Sequence, residues 1–231
     1  PVNDPATQIS AMAAVTEHLG FGVTAAATFE QPYTLARRYA SLDHLTEGRV
    51  GFNVVTSYLP SAAENQGLPT QIPHDERYEI ADEFLDVCYK LWEGSWEDGA
   101  VIKDRERGIY ADPSKVHPIG HKGKYFSVPG ISLTEPSPQR TPVIFQAGAS
   151  SRGQKFSGKH AEAVFISALR PDLTRVVTDR IRAAAEEQGR SRDDVKILAM
   201  LSVIVDETEE KAKAKYEEYK KYINLDSAQA I

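Results

Sequence analysis

A single cysteine occurs among 231 residues, so no internal disulfide can exist and no disulfide scaffold underlies the fold. Cys88 falls on the apolar side of a predicted helix, where it reads as a small buried hydrophobe in a reducing, cytoplasmic setting. No apolar run approaches the roughly 20 residues needed to cross a bilayer, which argues against a membrane protein. Basic residues are in deficit, 27 against 33 acidic, and Lys and Arg are dispersed, so no positive stripe offers itself to nucleic acid. Also missing are a G-x-G-x-x-G or G-x-x-x-x-G-K nucleotide fingerprint, a G-x-S-x-G elbow and an H-E-x-x-H pair, with the six histidines scattered along the chain. Without a metal cluster or an activated nucleophile, any chemistry is expected to come from an organic cofactor.

What is present is a repeated order of short apolar runs and amphipathic segments. "DPATQISAMAAVTEHLG" carries Ile9, Met12, Ala13 and Leu19 near helical spacing, with Asp4 as cap, Pro5 at the first position and Gly20 at the end. "FGVTAAATF" then precedes a helix with a Leu35, Tyr39, Leu42, Leu45 stripe that Gly48 stops. "RVGFNVVTS" precedes the helix "PHDERYEIADEFLDVCYKLW", in which Ala81, Phe84, Leu85, Cys88, Leu91 and Trp92 recur at helical steps and Asp75 is the expected cap. Three more strand–helix pairs begin at "TPVIFQAG", "AEAVFISAL" and "VKILAMLSVIVD". Runs such as "PVIFQ" and "ILAMLSVIV" are apolar without alternation, as in parallel strands buried on both faces.

This alternation specifies an α/β protein. Five strand–helix units behind an unpaired first helix fit a TIM-like (β/α)8 barrel truncated at both ends better than a complete doubly wound sheet. The expected organisation is one partial barrel domain over residues 1–231. It is interrupted after the second visible strand–helix unit by an insertion at 93–140, rich in Gly, Pro and charge, with a hairpin around "GKYFSV". The start "PVNDPATQIS", without initiator Met or leader, supports an expectation that segments at both ends are absent.

In such folds the C-terminal ends of the strands gather the chemistry. "FQAGASSRG" ends one strand with small residues and opens a helix. Backbone N–H groups, the Ser150 and Ser151 hydroxyls and the Arg152 charge could hold a phosphate there, or Ser150 could simply cap the helix. Thr24 and Asn53 end two other strands with hydrogen-bonding groups that suit a flat polar ligand. His74 and Tyr78 stand one turn apart at a helix start, a candidate lip for a site or the decorated first turn of scaffold.

"RVGFNVVTS", "HDERYEIADEF", "HKGKYFSVPG" and "TPVIFQAGASSRGQKFSGKHAEAVF", in this order, resemble the flavin-dependent monooxygenases of the bacterial-luciferase-like superfamily. More narrowly, they resemble the branch with nitrilotriacetate, EDTA, dibenzothiophene-sulfone and long-chain alkane monooxygenases. The resemblance runs through nearly the whole chain. It implies reduced FMN supplied by a separate NAD(P)H:flavin reductase, O2 as co-substrate, a small organic substrate of sulfone, aminopolycarboxylate or alkane type, and a homodimer or homotetramer. It implies FMN contacts at Thr24, His74, Tyr78 and Ser150, with Ser150 at the phosphate and Asn53 near the flavin. The Ser151 hydroxyl beside Ser150 is expected to join the FMN contacts, and His74, sharing a helix face with Tyr78, is expected to be the catalytic group that holds or moves a proton at the reacting oxygen. The chain departs from the pattern in lacking two earlier strand–helix units, an acidic flavin contact among them, and an eighth strand. Two other readings remain: a phosphate-binding barrel isomerase or lyase, for which no Lys or Glu base stands at a strand end, and a non-catalytic flavin-binding protein.

Overall fold

The computed structural model describes residues 3–167 and 170–224. In chain order its elements are α1 (Pro5–Ala13), β1 (Phe21–Ala26), α2 (Pro32–Thr46), β2 (Val50–Val55), α3 (Pro60–Asn65), α4 (His74–Tyr89), β3 (Val101–Asp104), β4 (Ile109–Ala111), β5 (His121–Lys122), β6 (Ser127–Val128), β7 (Val143–Gln146), α5 (Ser151–His160), β8 (Ala163–Ser167), α6 (Pro171–Glu186), β9 (Lys196–Met200) and α7 (Glu209–Lys220). None of the described helices is long and apolar enough to cross a membrane.

The main sheet runs β1-β2-β7-β8-β9, every pairing parallel. Each strand lies beside its successor with no reversal of order. A doubly wound sheet would show a switch point; this order is that of a barrel wall, here left open between β1 and β9. Strand side chains alternate between faces. Val23, Phe52, Val54 and Ile144 point to one side and are buried with Leu35, Tyr39, Phe84 and Leu85 from α2 and α4, while Val164 is buried in a second cluster with Ile181 and Ala185 of α6. Thr24, Asn53 and Phe145 point to the other, concave side and stay partly open. Tyr39 ties the layers together, its ring 4.7 Å from Phe52 and its hydroxyl donating to the Val23 carbonyl at 2.9 Å.

Several local expectations shift. Asp4 does cap α1, but the helix ends at Ala13, leaving Leu19 half exposed. In α2, Leu35, Tyr39 and Leu42 are buried while Leu45 is not, because the buried arc of the helix continues through Asp43 and Thr46 and leaves Leu45 on its solvent side; the helix ends through Glu47 at φ 53° and Gly48 at φ 83°. Pro73, not Asp75, occupies the N-cap of α4; Asp75 and Glu76 sit in its first turn, where they complement the helix dipole. The "ILAMLSVIV" run is not buried on both faces. β9 stops at Met200, Leu198, Met200, Leu201, Val203 and Val205 are exposed, and α7 contributes no buried residue that could cover them.

Between α4 and β7 lie the hairpins β3–β4 and β5–β6, the second of them around "GKYFSV" as expected. Glu83 of α4 fastens it: its carboxylate accepts from the backbone N–H of Lys124, Tyr125 and Phe126 at 2.8–3.2 Å and lies 3.1 Å from Nε2 of buried His121. A Cβ on Gly123 would collide with that carboxylate, so only glycine lets the hairpin close on it. His117 and His121, although spaced i, i+4, diverge, His117 turning to Glu97. Burial alone would raise the Glu83 pKa, but the His121 and backbone hydrogen bonds outweigh it and hold the carboxyl below its ordinary value. Glu83→Ala strands three N–H donors and is expected to cost about 3 kcal/mol. Because the folded pKa is the lower one, this stabilisation is complete above the unfolded carboxylate pKa of about 4.3 and disappears as pH falls through the folded value. Urea unfolding of wild type and variant at neutral and acid pH should show the difference shrinking at acid pH.

Candidate active site

Parallel topology brings residues far apart in sequence to one end of the sheet. β1 and β2 pair with Thr24 opposite Asn53, and Asn53 Nδ2 donates to Thr24 Oγ1 at 2.9 Å. Asn53 Oδ1 is buried without a hydrogen-bond partner, an acceptor left facing the concave side. One step further along the same face, Ala26 and Val55 border a cleft of about 450 Å³ that also takes in Thr56, Ser57, His74, Arg77, Tyr78, Gln146 and Gly148. Ser57 holds φ at 54°, a backbone strain located at the rim of this cleft.

The start of α4 forms one wall. The His74 and Tyr78 rings meet edge to face at 5.3 Å. His74 Nδ1 lies 2.6 Å from Asp75 Oδ1; a carboxylate only accepts, so Nδ1 carries a proton, which in the neutral ring leaves Nε2 as the acceptor nitrogen. Tyr78 is buried, packed on Phe156 at 5.5 Å. Its hydroxyl abuts the turn after β7: a Cβ on Gly148 or on Gly153 would stand 2.7 Å from that oxygen, and the two glycine backbones nearly touch. Glycine is required at both positions for α5 to start this close to α4.

Opposite stands the β7–α5 turn. Gln146 Oε1 accepts from Gly148 N at 2.6 Å and from Ser157 Oγ at 2.5 Å, fixing the turn from inside. Ser150 is the N-cap of α5, its Oγ accepting from Gly153 N at 3.0 Å, so its capping role is realised; Ser151 is exposed at the first helical position. Arg152 does not add a free charge to this turn. Its Nη2 donates to Asp82 Oδ2 at 2.5 Å, and its guanidinium covers the Tyr78 ring at 5.5 Å.

The cation that does line the cleft is Arg77. It is only 8% exposed, its Nε is buried with no partner, and no ion pair or hydrogen bond engages its side chain among the described residues. A buried guanidinium without a counter-charge is costly unless an anion or acceptor belongs beside it. Sequence reasoning passed over Arg77, although it stands between His74 and Tyr78 in "HDERY". Gln146 was equally missed. Of the six expected site residues, His74 and Tyr78 line the cleft; Thr24 and Asn53 lie outside its lining, two residues before Ala26 and Val55 on the same strands, and Ser150 and Ser151 stand at the start of α5, just beyond the lining residue Gly148.

Residues 2–230 match the family model described as luciferase-like monooxygenase. The chain belongs to this family. It is 61% identical over its whole length to the dimethyl-sulfide monooxygenase of Hyphomicrobium sulfonivorans, covering 48% of that protein. It is 56% identical to the long-chain alkane monooxygenase of Geobacillus thermodenitrificans, with 98% of this chain and 51% of the relative aligned, and a solved long-chain alkane monooxygenase superposes with a TM-score of 0.94. A riboflavin lyase solved with modified FMN and riboflavin superposes with a TM-score of 0.91 at 45% identity, over 94% of this chain and 48% of that one. The chain thus spans about half the length of the curated relatives it matches. Likeness to luciferase-like barrels agrees with the strand order, and the open edges at β1 and β9 mark the wall as incomplete among the described residues.

Proposed function

We propose that the protein is an FMN-dependent monooxygenase of a two-component system, taking reduced FMN from a separate NAD(P)H:flavin reductase and O2 to oxygenate a small organic substrate of sulfone, aminopolycarboxylate or alkane type. The observation that carries this reading is the unpaired, buried Arg77 in a cleft whose far side is a glycine-rich helix start. The residues fit the cofactor. Arg77, Ser151 and the first N–H groups of α5 suit its phosphate, the Tyr78 side chain suits the ribityl chain or ring edge, and Thr24 with the orphaned Asn53 Oδ1 suits the polar edge of the isoalloxazine. The names of the relatives, monooxygenases and a flavin lyase bound to modified FMN, point the same way.

Reduced FMN supplies the electrons that let one atom of O2 enter the substrate while the other leaves as water. The chain's own part is to bind, orient and manage protons. His74, oriented through Nδ1 by Asp75, presents Nε2 as the atom that holds or moves a proton at the reacting oxygen. The buried Tyr78, with the half-buried Val55 and Ala26, gives the cleft an apolar lining. A cytoplasmic location and a homodimer or homotetramer complete the reading.

The test supplies the protein with reduced FMN from a reductase under 18O2 and a panel of sulfones, aminopolycarboxylates and alkanes. One labelled oxygen in a product supports the reading; FMN oxidation without labelled product across the panel argues for a flavin binder without oxygenase activity. In the same assay, His74→Ala is expected to lower turnover by about a hundredfold or more with FMN affinity changed only slightly. Unchanged turnover would remove His74 from the mechanism.

A further inference from the structure

Asp82 lies on α4 one turn beyond Tyr78 and two beyond His74, outside the cleft but on the same helix face. Its carboxylate gathers three donors from α5: Arg152 Nη2 at 2.5 Å on one oxygen, and Lys159 Nζ at 3.0 Å and His160 Nε2 at 2.7 Å on the other. Arg152 belongs to the first turn of α5 and the other two to its last, so a single side chain holds both ends of that helix.

The hydrogen-bond chemistry leaves little choice of arrangement. A carboxylate accepts only, so His160 Nε2 carries a proton. Nδ1 of the neutral ring then accepts from the Tyr89 hydroxyl at 3.2 Å, which also comes from α4. Partial burial raises the Asp82 pKa, but the hydrogen bonds from His160, Arg152 and Lys159 prevail and keep it well below the usual carboxylate range; burial lowers that of His160. At neutral pH the clamp is therefore an ionised Asp82 on an uncharged His160. Held this way, Arg152 covers the Tyr78 ring, whose hydroxyl touches Gly148 and Gly153 at the start of α5.

We propose that Asp82 is a positioning residue for the phosphate end of the flavin site. It fixes the first turn of α5, with Ser150 and Ser151, against Arg77 and Tyr78 and thereby sets the preference for FMN over unphosphorylated riboflavin. The inference rests on the flavin reading of the α4–α5 cleft. An ion pair of merely structural worth would, when lost, weaken both flavins alike; a positioning role weakens only the one with a phosphate.

The test titrates the intact protein and its Asp82→Asn variant with FMN and with riboflavin, following flavin fluorescence, and measures amide hydrogen exchange without flavin. Asp82→Asn is expected to weaken FMN by about tenfold and riboflavin by less than about twofold, and to speed exchange at residues 151–155 while Phe52–Val54 and Ile144 keep their protection. Asp82→Glu, which retains the charge, should recover part of the FMN preference. If Asp82→Asn does not fold, Arg152→Met cuts the same contact from the other side and must reproduce the change. An unaltered FMN-to-riboflavin ratio, or unaltered exchange in the first turn of α5, overturns the proposal while leaving the flavin reading intact. Wild-type protein that binds neither flavin overturns both.

Discussion

Arg77→Met is expected to raise the dissociation constant for FMN by about a hundredfold, or ~2.7 kcal/mol, without lowering the melting temperature. The two halves of this expectation have one cause. Arg77 is 8% exposed and lines the cleft, and its Nε is buried without a partner among the described residues, so in the free protein part of its desolvation is uncompensated. Methionine fills most of the space taken by the arginine stem and removes that cost, so stability stays level or rises by a few degrees. With FMN bound, the guanidinium gains the charge-assisted, forked hydrogen bonds a phosphate offers, and losing one side of such a buried pair costs roughly 2–5 kcal/mol. An ordinary core arginine would behave oppositely, losing stability and leaving ligand affinity alone. Flavin titration and thermal unfolding of the same preparation separate the cases, and Arg77→Lys, with the charge but not the fork, should fall between.

Arg77 also shows where reading the sequence stops short. The barrel-wall strands were legible as short apolar runs such as "PVIFQ" set between amphipathic segments, and the helices because Leu35, Tyr39, Phe84 and Cys88 recur at helical spacing. His74, Tyr78 and Ser150 were legible as a site only through strand-end position and family resemblance, since nothing local separates a capped turn from a phosphate cradle. What a charged side chain pairs with was not legible at all. Arg152 looked available to a ligand but is bound by Asp82, 70 positions earlier, while Arg77, which nothing in the sequence singles out, is buried and unpaired. The Arg152–Asp82 pairing depends on how close α5 comes to α4, which the Tyr78 hydroxyl and two glycines decide. The exposed apolar run at β9 failed for a complementary reason: hydrophobic composition states that a strand expects cover, and cover comes from other elements.

Gly158→Ala is expected to destabilise the protein by about 2 kcal/mol, lowering the melting temperature by about 4–8 °C for a chain of this size, although alanine is the better helix former. Gly158 is buried in α5 where that helix crosses α6. A Cβ there would stand 2.5 Å from the Ala184 carbonyl carbon, 2.7 Å from Ala185 N and 2.8 Å from Ala184 Cβ. Carbon contacts are favourable near 3.5–4.0 Å, and two of these three neighbours are α6 backbone, which cannot rotate aside. The helices must therefore part by about 1 Å. Propensity favours the substitution by about 1 kcal/mol, but overpacking of this kind costs about 1–3 kcal/mol or more, and rigid backbone neighbours place the cost at the upper end. Gly94, whose Cβ would meet nothing within 4 Å, is the control: Gly94→Ala should be neutral or stabilising. The displacement reaches the site as well. α5 carries Ser150, Ser151 and Arg152 and is held at both ends by Asp82, so pushing it off α6 drives its first turn toward Tyr78, where Gly148 and Gly153 leave no slack. FMN affinity should fall together with stability in Gly158→Ala, whereas in Arg77→Met it falls alone.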